Sequence, residues 1–215
     1  MAGLSIPNDL FLIEDFDTYV QEFLLEELPV SNITSSTQQI ENGNFGGLDL
    51  RTGVLENSAF HGCSFEKASF KNVVFESCDF SNSSFRESYF ENCRFLNCKC
   101  VGADFCETVM KKTVFERSQF RYSCFDQSKM TDVLFQQVDL REASFSEVQL
   151  KRFTAKECQF IRNNFFHTAL AGVDFTENEF AAPTVSFPPT ELKGAVVSAM
   201  QAVNLAGLLG LVVKG

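Results

Sequence analysis

Residues 60–95 read FHGCSFEKASFKNVVFESCDFSNSSFRESYFENCRF, and every fifth letter from the first is Phe. Phe60, Phe65, Phe70, Phe75, Phe80, Phe85, Phe90 and Phe95 follow one another without a slip. Extending the count both ways gives 28 consecutive slots from Phe45 to Phe180, of which 19 are Phe. Leu50, Leu55, Met110, Met130, Leu140, Leu150 and Leu170 fill most of the rest, and no insertion breaks the register.

A period of five fits neither regular element. On a helix, successive fifth residues rotate by about 140° and cannot share a face, and on a flat strand they alternate sides. The backbone must therefore change direction every five residues. Two places before each Phe from Phe60 to Phe95 the side chain is small or β-branched: Ser58, Cys63, Ala68, Val73, Cys78, Ser83, Ser88 and Cys93. This second column also faces inward, because a small side chain beside each bulky one lets successive layers interdigitate.

A fixed short period signals a solenoid. Repeats of five with a central Phe or Leu, and Ala, Cys, Ser, Thr or Val two places earlier, resemble the pentapeptide-repeat family. The resemblance implies an all-β solenoid: a right-handed quadrilateral β-helix with one pentapeptide per side, four per coil and about seven coils. Around it the chain divides into an N-terminal helical cap and connector (1–40), the repeat β-helix (41–182) and a C-terminal helix and dimerisation segment (183–215).

Outside the repeat, Asn8 and Asp9 are candidate N-caps for a helix with Leu10, Ile13, Phe16, Val20, Phe23 and Leu24 at helical spacing, stopped by Pro29. This segment carries Asp9, Glu14, Asp15, Asp17, Glu22, Glu26 and Glu27 without a Lys or Arg, and so holds much of the net charge of −10. It is expected to cover the open solenoid edge, with Ser31 to Gln39 as a polar connector. At the other end, the pattern stops at Ala181, Ala182 and Pro183, and Ser198 caps a helix that ends at Gly210. Ser198, Gln201 and Asn204 are expected to form its wet side.

With four pentapeptides per coil, sorting slots by multiples of twenty assigns them to four walls. The wall on Phe45, Phe65, Phe85, Phe105, Phe125, Phe145 and Phe165 shows Glu66, Glu87, Asp104, Glu107, Asp126 and Glu147 against Lys67 and Arg86. The next wall is basic, through Arg51, Lys71, Lys111, Lys112, Lys129, Lys151 and Arg152. The third is again acidic, and the fourth balances. Exchanges of size are legible too: Ala155 sits in a large slot with Phe153 two places earlier, Cys100 is a shrinkage that predicts a narrowing, and Asn163 and Asn178 predict polar ladders.

The ending from Leu192-Lys193-Gly194 through Gln201 to Val213 resembles the terminal segment of Qnr-type pentapeptide-repeat proteins, which confer quinolone resistance. In that family the C-terminal helix joins two solenoids into a rod whose acidic surface is DNA-like to type II topoisomerases. The resemblance implies a homodimer through Met200, Val203, Leu205, Ala206, Leu208 and Leu209. It also implies protection of DNA gyrase and topoisomerase IV from fluoroquinolones, with the acidic wall as the topoisomerase-binding face. Some members carry projecting loops, and the unbroken register here leaves no room for them. The alternative is a pentapeptide scaffold with an unrelated protein partner.

Other classes find little support. His61 and His167 are the only histidines and lie far apart, so no triad assembles and no enzyme or cofactor is expected. Cys63, Cys78, Cys93, Cys98 and Cys158 occupy the small inward column and Cys100 the large one, reading as buried hydrophobes in a reduced, cytoplasmic protein. A Cys78–Cys98 bridge remains compatible with stacking in adjacent coils. Their dispersal over different sides predicts no metal site. The basic wall lacks interleaved outward aromatics, which argues against direct nucleic-acid binding. The uncharged stretch from Ala195 to Val213 is interrupted by polar residues and glycines, which argues against a membrane anchor.

Overall fold

The turn demanded every five residues is made by a left-handed corner. In the computed structural model, which describes Pro7 and residues 9–214, φ is positive at Asn42, Gly47, Thr52, Asn57, Gly62, Lys67, Asn72, Ser77 and Asn82, and onward at the same spacing. Each corner lies two residues after a large inward side chain. An L-residue pays for this region through a Cβ clash, which Asn tolerates best and Gly escapes. That is why Asn recurs at 32, 42, 57, 72, 82, 92 and 97.

Between corners, short strands pair in parallel with the strand twenty residues on. Phe75 pairs with Phe95, Phe95 with Phe115 and Phe115 with Phe135. Four pentapeptides therefore close one turn, and the chain forms a parallel β-solenoid of about nine turns. The Phe and Leu register gives only seven coils because the first layers carry other residues in the same slots. Strand β1 (Phe11–Ile13) pairs with β2 (Val30–Ser36), β3 (Gln39–Glu41) pairs one turn up with Ala59–His61, and β2 pairs with β4 (Asp49–Glu56). Val30 is buried, and so are Ile33 and Ser35 in the stretch read as a connector. At the far end Val196 bridges to Asp174.

The interior is a set of aromatic columns. Along the wall of Phe45 to Phe165, successive rings stack at 5.0, 4.9, 4.8, 5.2, 4.9 and 5.5 Å. Each stacked column meets its neighbours edge to face, as at Phe60–Phe65 and Phe80–Phe85, the two arrangements that ring quadrupoles favour. At the Cys100 shrinkage the neighbouring rings close up: Phe120 lies 5.7 Å from Phe105 and 6.2 Å from Phe95. Phe153 takes the space that Ala155 vacates and packs 5.6 Å from Phe135.

The small inward column has a polar duty as well as a steric one. Several of its hydroxyls and thiols donate to the carbonyl 23 residues earlier: Ser88 to Phe65, Cys78 to Leu55, Cys93 to Phe70 and Cys98 to Phe75. A buried carbonyl left without a donor costs about 1–3 kcal/mol. Asn163 and Asn178 follow the same rule. They donate to the main-chain oxygens of Leu140 and Ala155, each 23 residues earlier, and form no ladder with each other.

The N-terminal cap is shorter than the spacing predicts. Helix α1 spans Phe16–Leu25, with Asp15 as N-cap accepting from the Thr18 N–H at 3.0 Å. Asp9 lies outside the helix and Asn8 outside the described residues; the apolar Leu10 and Ile13 belong to the strand side of the cap. Phe16 is fully buried, with its ring 5.5 Å from both Phe45 and Phe60.

At the C-terminal end, α2 (Ala199–Leu205) begins in a capping box between Ser198 and Gln201 and runs into a 3-10 turn, Ala206–Leu209, closed by Gly210 at φ 74°. Gln201 is buried and not on a wet side. Its side-chain amide donates to the carbonyls of Phe175 and Asn178 at 2.9 and 2.8 Å, closing the open backbone edge. Buried Glu191 does the complementary job by accepting from the His167 and Ser186 N–H groups at 2.9 and 3.2 Å.

Candidate partner-binding surface

The sorted acidic wall is a continuous surface built by one ladder of bridges: Ser64 to Ser84, Ser84 to Asp104, Asp104 to Cys124 and Cys124 to Ser144. The residues just before and after each wall Phe point outward while the Phe points in. Twenty-residue register then stacks Glu66, Arg86, Cys106, Asp126 and Ser146 in one row and Lys67, Glu87, Glu107, Gln127 and Glu147 in the next. All six predicted carboxylates lie on this wall.

Their surroundings are orderly. Ser84 donates to Glu66 at 3.0 Å, Lys67 lies 3.9 Å from Glu87, and Gln127 donates to Glu147 at 3.3 Å. Arg86 bridges Asp104, at 3.7 Å, and Glu107. Asp126 accepts from the Ser144 hydroxyl and from the Ser146 N–H at 2.8 Å. These neighbours fix the carboxylates and neutralise few of them, since only Lys67 and Arg86 bring positive charge.

On the basic wall two of the seven cations are ion-paired. Arg51 binds Asp49 at 2.6 Å and Arg152 binds Asp132 on both oxygens. Lys71 and Lys111 both lie over the Tyr89 ring, at 5.8 and 5.3 Å. On the third wall, Arg94 and Arg117 converge on Glu116. The two histidines remain apart: His61 sits 3.1 Å from Asp79, while His167 stacks on Phe166 at 3.8 Å. Partial burial opposes the Asp79 charge, yet Ser81, Lys99 and His61 bonding to it hold that carboxyl at about 2.

The cysteines depart from the all-reduced expectation in one place. Cys106 and Cys124 form a disulfide, with Cα atoms 5.6 Å apart. Neither lies in the inward columns: one follows Phe105 and the other precedes Phe125, so the register brings them together diagonally on the outer wall. A separation of eighteen, two short of a full turn, is the signal in the sequence. Cys78 and Cys98 are free, and burial pushes the Cys78 thiol up to about 12.

The predicted dimer residues divide into two groups. Met200, Val203 and Leu209 are exposed, whereas Leu205, Ala206 and Leu208 are half-buried, and Leu205 packs on the core. Leu211, Val212 and Val213 extend the exposed apolar surface. Among the described residues no helix is long and apolar enough to cross a membrane.

Residues 68–145 match the family described as pentapeptide repeat region, and these are residues whose side chains and twenty-residue pairing have just been described. Residues 68–145 are a pentapeptide-repeat region. No curated protein matches the chain in sequence. Among solved structures it is similar to a trypsin-treated form of QnrB1, a plasmid-mediated fluoroquinolone resistance protein, at 20% identity and TM-score 0.47, covering 96% of this chain and 100% of that one. It is also similar to HetL, a pentapeptide repeat protein involved in heterocyst differentiation regulation from the cyanobacterium Nostoc, at 11% identity and TM-score 0.33, covering 86% and 97%.

Proposed function

We propose that this protein binds the type II topoisomerases DNA gyrase and topoisomerase IV through its acidic wall and protects them from fluoroquinolones. The observation that carries the reading is the placement of Glu66, Glu87, Asp104, Glu107, Asp126 and Glu147 on one wall with two cations among them. The Qnr-like ending from Leu192 to Val213 supplies the family and the partner.

Charge density decides what kind of mimicry is physically reasonable. Five layers at about 4.8 Å make a wall of about 24 Å, so a net four negative charges amount to one per about 6 Å. Duplex DNA carries one per about 1.7 Å and a single strand one per about 3.4 Å. The wall therefore substitutes for a short run of one strand's phosphates in a basic groove, and rigidity makes up for its lower charge. Ordered carboxylates on a stacked aromatic spine lose little entropy on binding.

The rod is completed by a second copy. The exposed Met200, Val203 and Leu209 surface at the solenoid end is where the partner helix packs, giving two stacks of nine layers and a rod of about 86 Å. A gyrase supercoiling assay with ciprofloxacin, run with and without the protein, tests the reading. Restored supercoiling is expected from the wild type, and a variant with the six wall carboxylates changed to Lys is expected to lose it. Rescue by that charge-reversed rod, or inhibition without rescue by the wild type, would overturn the proposal in favour of a scaffold for another partner.

A further inference from the structure

The outer disulfide lies beside a carboxylate. Asp104, Cys106 and Cys124 place one ligand-type atom each within 4.8 Å of one another. The arrangement follows from the register: Asp104 bridges to Cys124 in the next layer, and Cys106 N–H donates to Asp104 Oδ1 at 2.8 Å, pinning the carboxylate over the two sulfurs. Asp126 makes the fourth corner of this small square, but the Ser144 hydroxyl and Ser146 N–H already hold its Oδ1.

We propose that Asp104, Cys106 and Cys124 form a thiol-gated site for a soft divalent cation, zinc foremost, which exists only when the Cys106–Cys124 bond is reduced. Two thiolates and a carboxylate are a zinc-type donor set, and water fills the fourth, outward position. Zinc holds sulfur at about 2.3 Å and carboxylate oxygen at about 2.0–2.2 Å, so its ligand atoms stand about 3–4 Å apart. Adjacent solenoid layers provide that separation once the sulfurs are no longer bonded. Arg86 lies 3.7 Å from Asp104 and bridges to Glu107, so an incoming cation must displace it from Asp104, and Glu87, Glu107 and Asp126 around the site keep its field negative.

Opening the site is thiol–disulfide exchange with an external dithiol. One thiolate of the reductant attacks a cysteine sulfur, the S–S bond breaks, and its electron pair leaves on the other cysteine as thiolate. The reductant's second thiol then resolves the mixed disulfide and departs as a cyclic disulfide. Two electrons and two protons pass to the cysteines, and the incoming cation displaces the protons.

The rest of the molecule makes the test selective. All six remaining cysteines are buried and inward, and burial pushes the Cys78 and Cys93 thiols up to about 12. Full-length protein is reduced, freed of reductant under nitrogen and titrated with Cd2+, following sulfur-to-metal charge-transfer absorption. One equivalent is expected to bind reduced wild type and none the oxidised form. Cys106→Ser and Cys124→Ser are each expected to abolish the band, and Asp104→Asn to weaken binding about tenfold. Far-UV circular dichroism checks that each variant retains the solenoid. No band from reduced wild type, or an equal band from the Cys106→Ser/Cys124→Ser double variant, would overturn the proposal.

Discussion

The two ends of the solenoid face the same physical problem and solve it with different chemistry. Each terminal coil exposes aromatic rings and unpaired backbone groups. The N-terminal end buries a ring: Phe16 descends from α1 onto Phe45 and Phe60, and Gln38 donates to the Glu14 carbonyl while accepting from Phe16 N–H. The C-terminal end instead satisfies hydrogen bonds, through Gln201 and Glu191, and leaves Met200, Val203 and Leu209 exposed. Both ends leave apolar side chains exposed, Phe11, Leu12 and Leu25 at the first, but only the N-terminal end drives a ring into the aromatic core; the C-terminal end is finished only in its polar groups.

The comparison can be broken most forcefully at the N-terminal end. Phe16→Ala empties a buried ring site, and a loss of about 3–5 kcal/mol is expected, read from the urea midpoint with an unchanged slope. A loss under about 1 kcal/mol would mean that the cap is dispensable and the two ends are more alike than their contacts indicate. Next in size is Gln201→Ala, which orphans the carbonyls of Phe175 and Asn178 and is expected to cost about 1–3 kcal/mol. Hydrogen exchange should then quicken at the last coil and not at the first.

Acid sharpens the contrast further. Burial opposes ionisation of Glu191, but bonds from His167 N–H and Ser186 hold its carboxyl below the ordinary value, and Asp79 is likewise held at about 2 against an ordinary 3.8. Depressed carboxyls contribute stability that is complete above their unfolded values and lost as pH falls through the folded ones. Unfolding is therefore expected between about pH 4 and 2. Glu191→Gln should shift hydrogen exchange near residues 184–196 at neutral pH and flatten its dependence below pH 4. The smallest effect on stability, within about 0.5 kcal/mol, is expected for Met200→Glu with Val203→Glu. That pair should nevertheless halve the mass seen by sedimentation, and an unchanged mass would remove the unfinished end from the dimer.

Most of this architecture was legible because one feature recurs without interruption. The Phe column from Phe45 to Phe180 fixed the inward slots, and from those the walls and the six carboxylates followed. The corner was not legible in the same way. Its residue, two after each large inward side chain, is as varied as Asn82, Glu87, Lys112 and Tyr122, since the left-handed turn is imposed by neighbouring layers and local preference only eases it. The first layers do not show the repeat, because Val30 and Ser35 fill inward slots without resembling it. Helical spacing puts Gln201 on a wet side because it cannot tell water from an unpaired carbonyl edge. Cys106 and Cys124 escaped notice because a diagonal contact appears only when layers are laid over one another.

The uniform twenty-residue pairing also constrains how such a chain can change. Each outward side chain has fixed vertical neighbours, as Glu66 has Arg86 and Arg86 has Cys106, so the surface behaves as a grid whose squares can be rewritten independently. Deleting a single residue would shift every later square by one column, turning rings outward and carboxylates inward from that point on. Substitution can therefore redesign one patch at a time, whereas length can change smoothly only by whole turns.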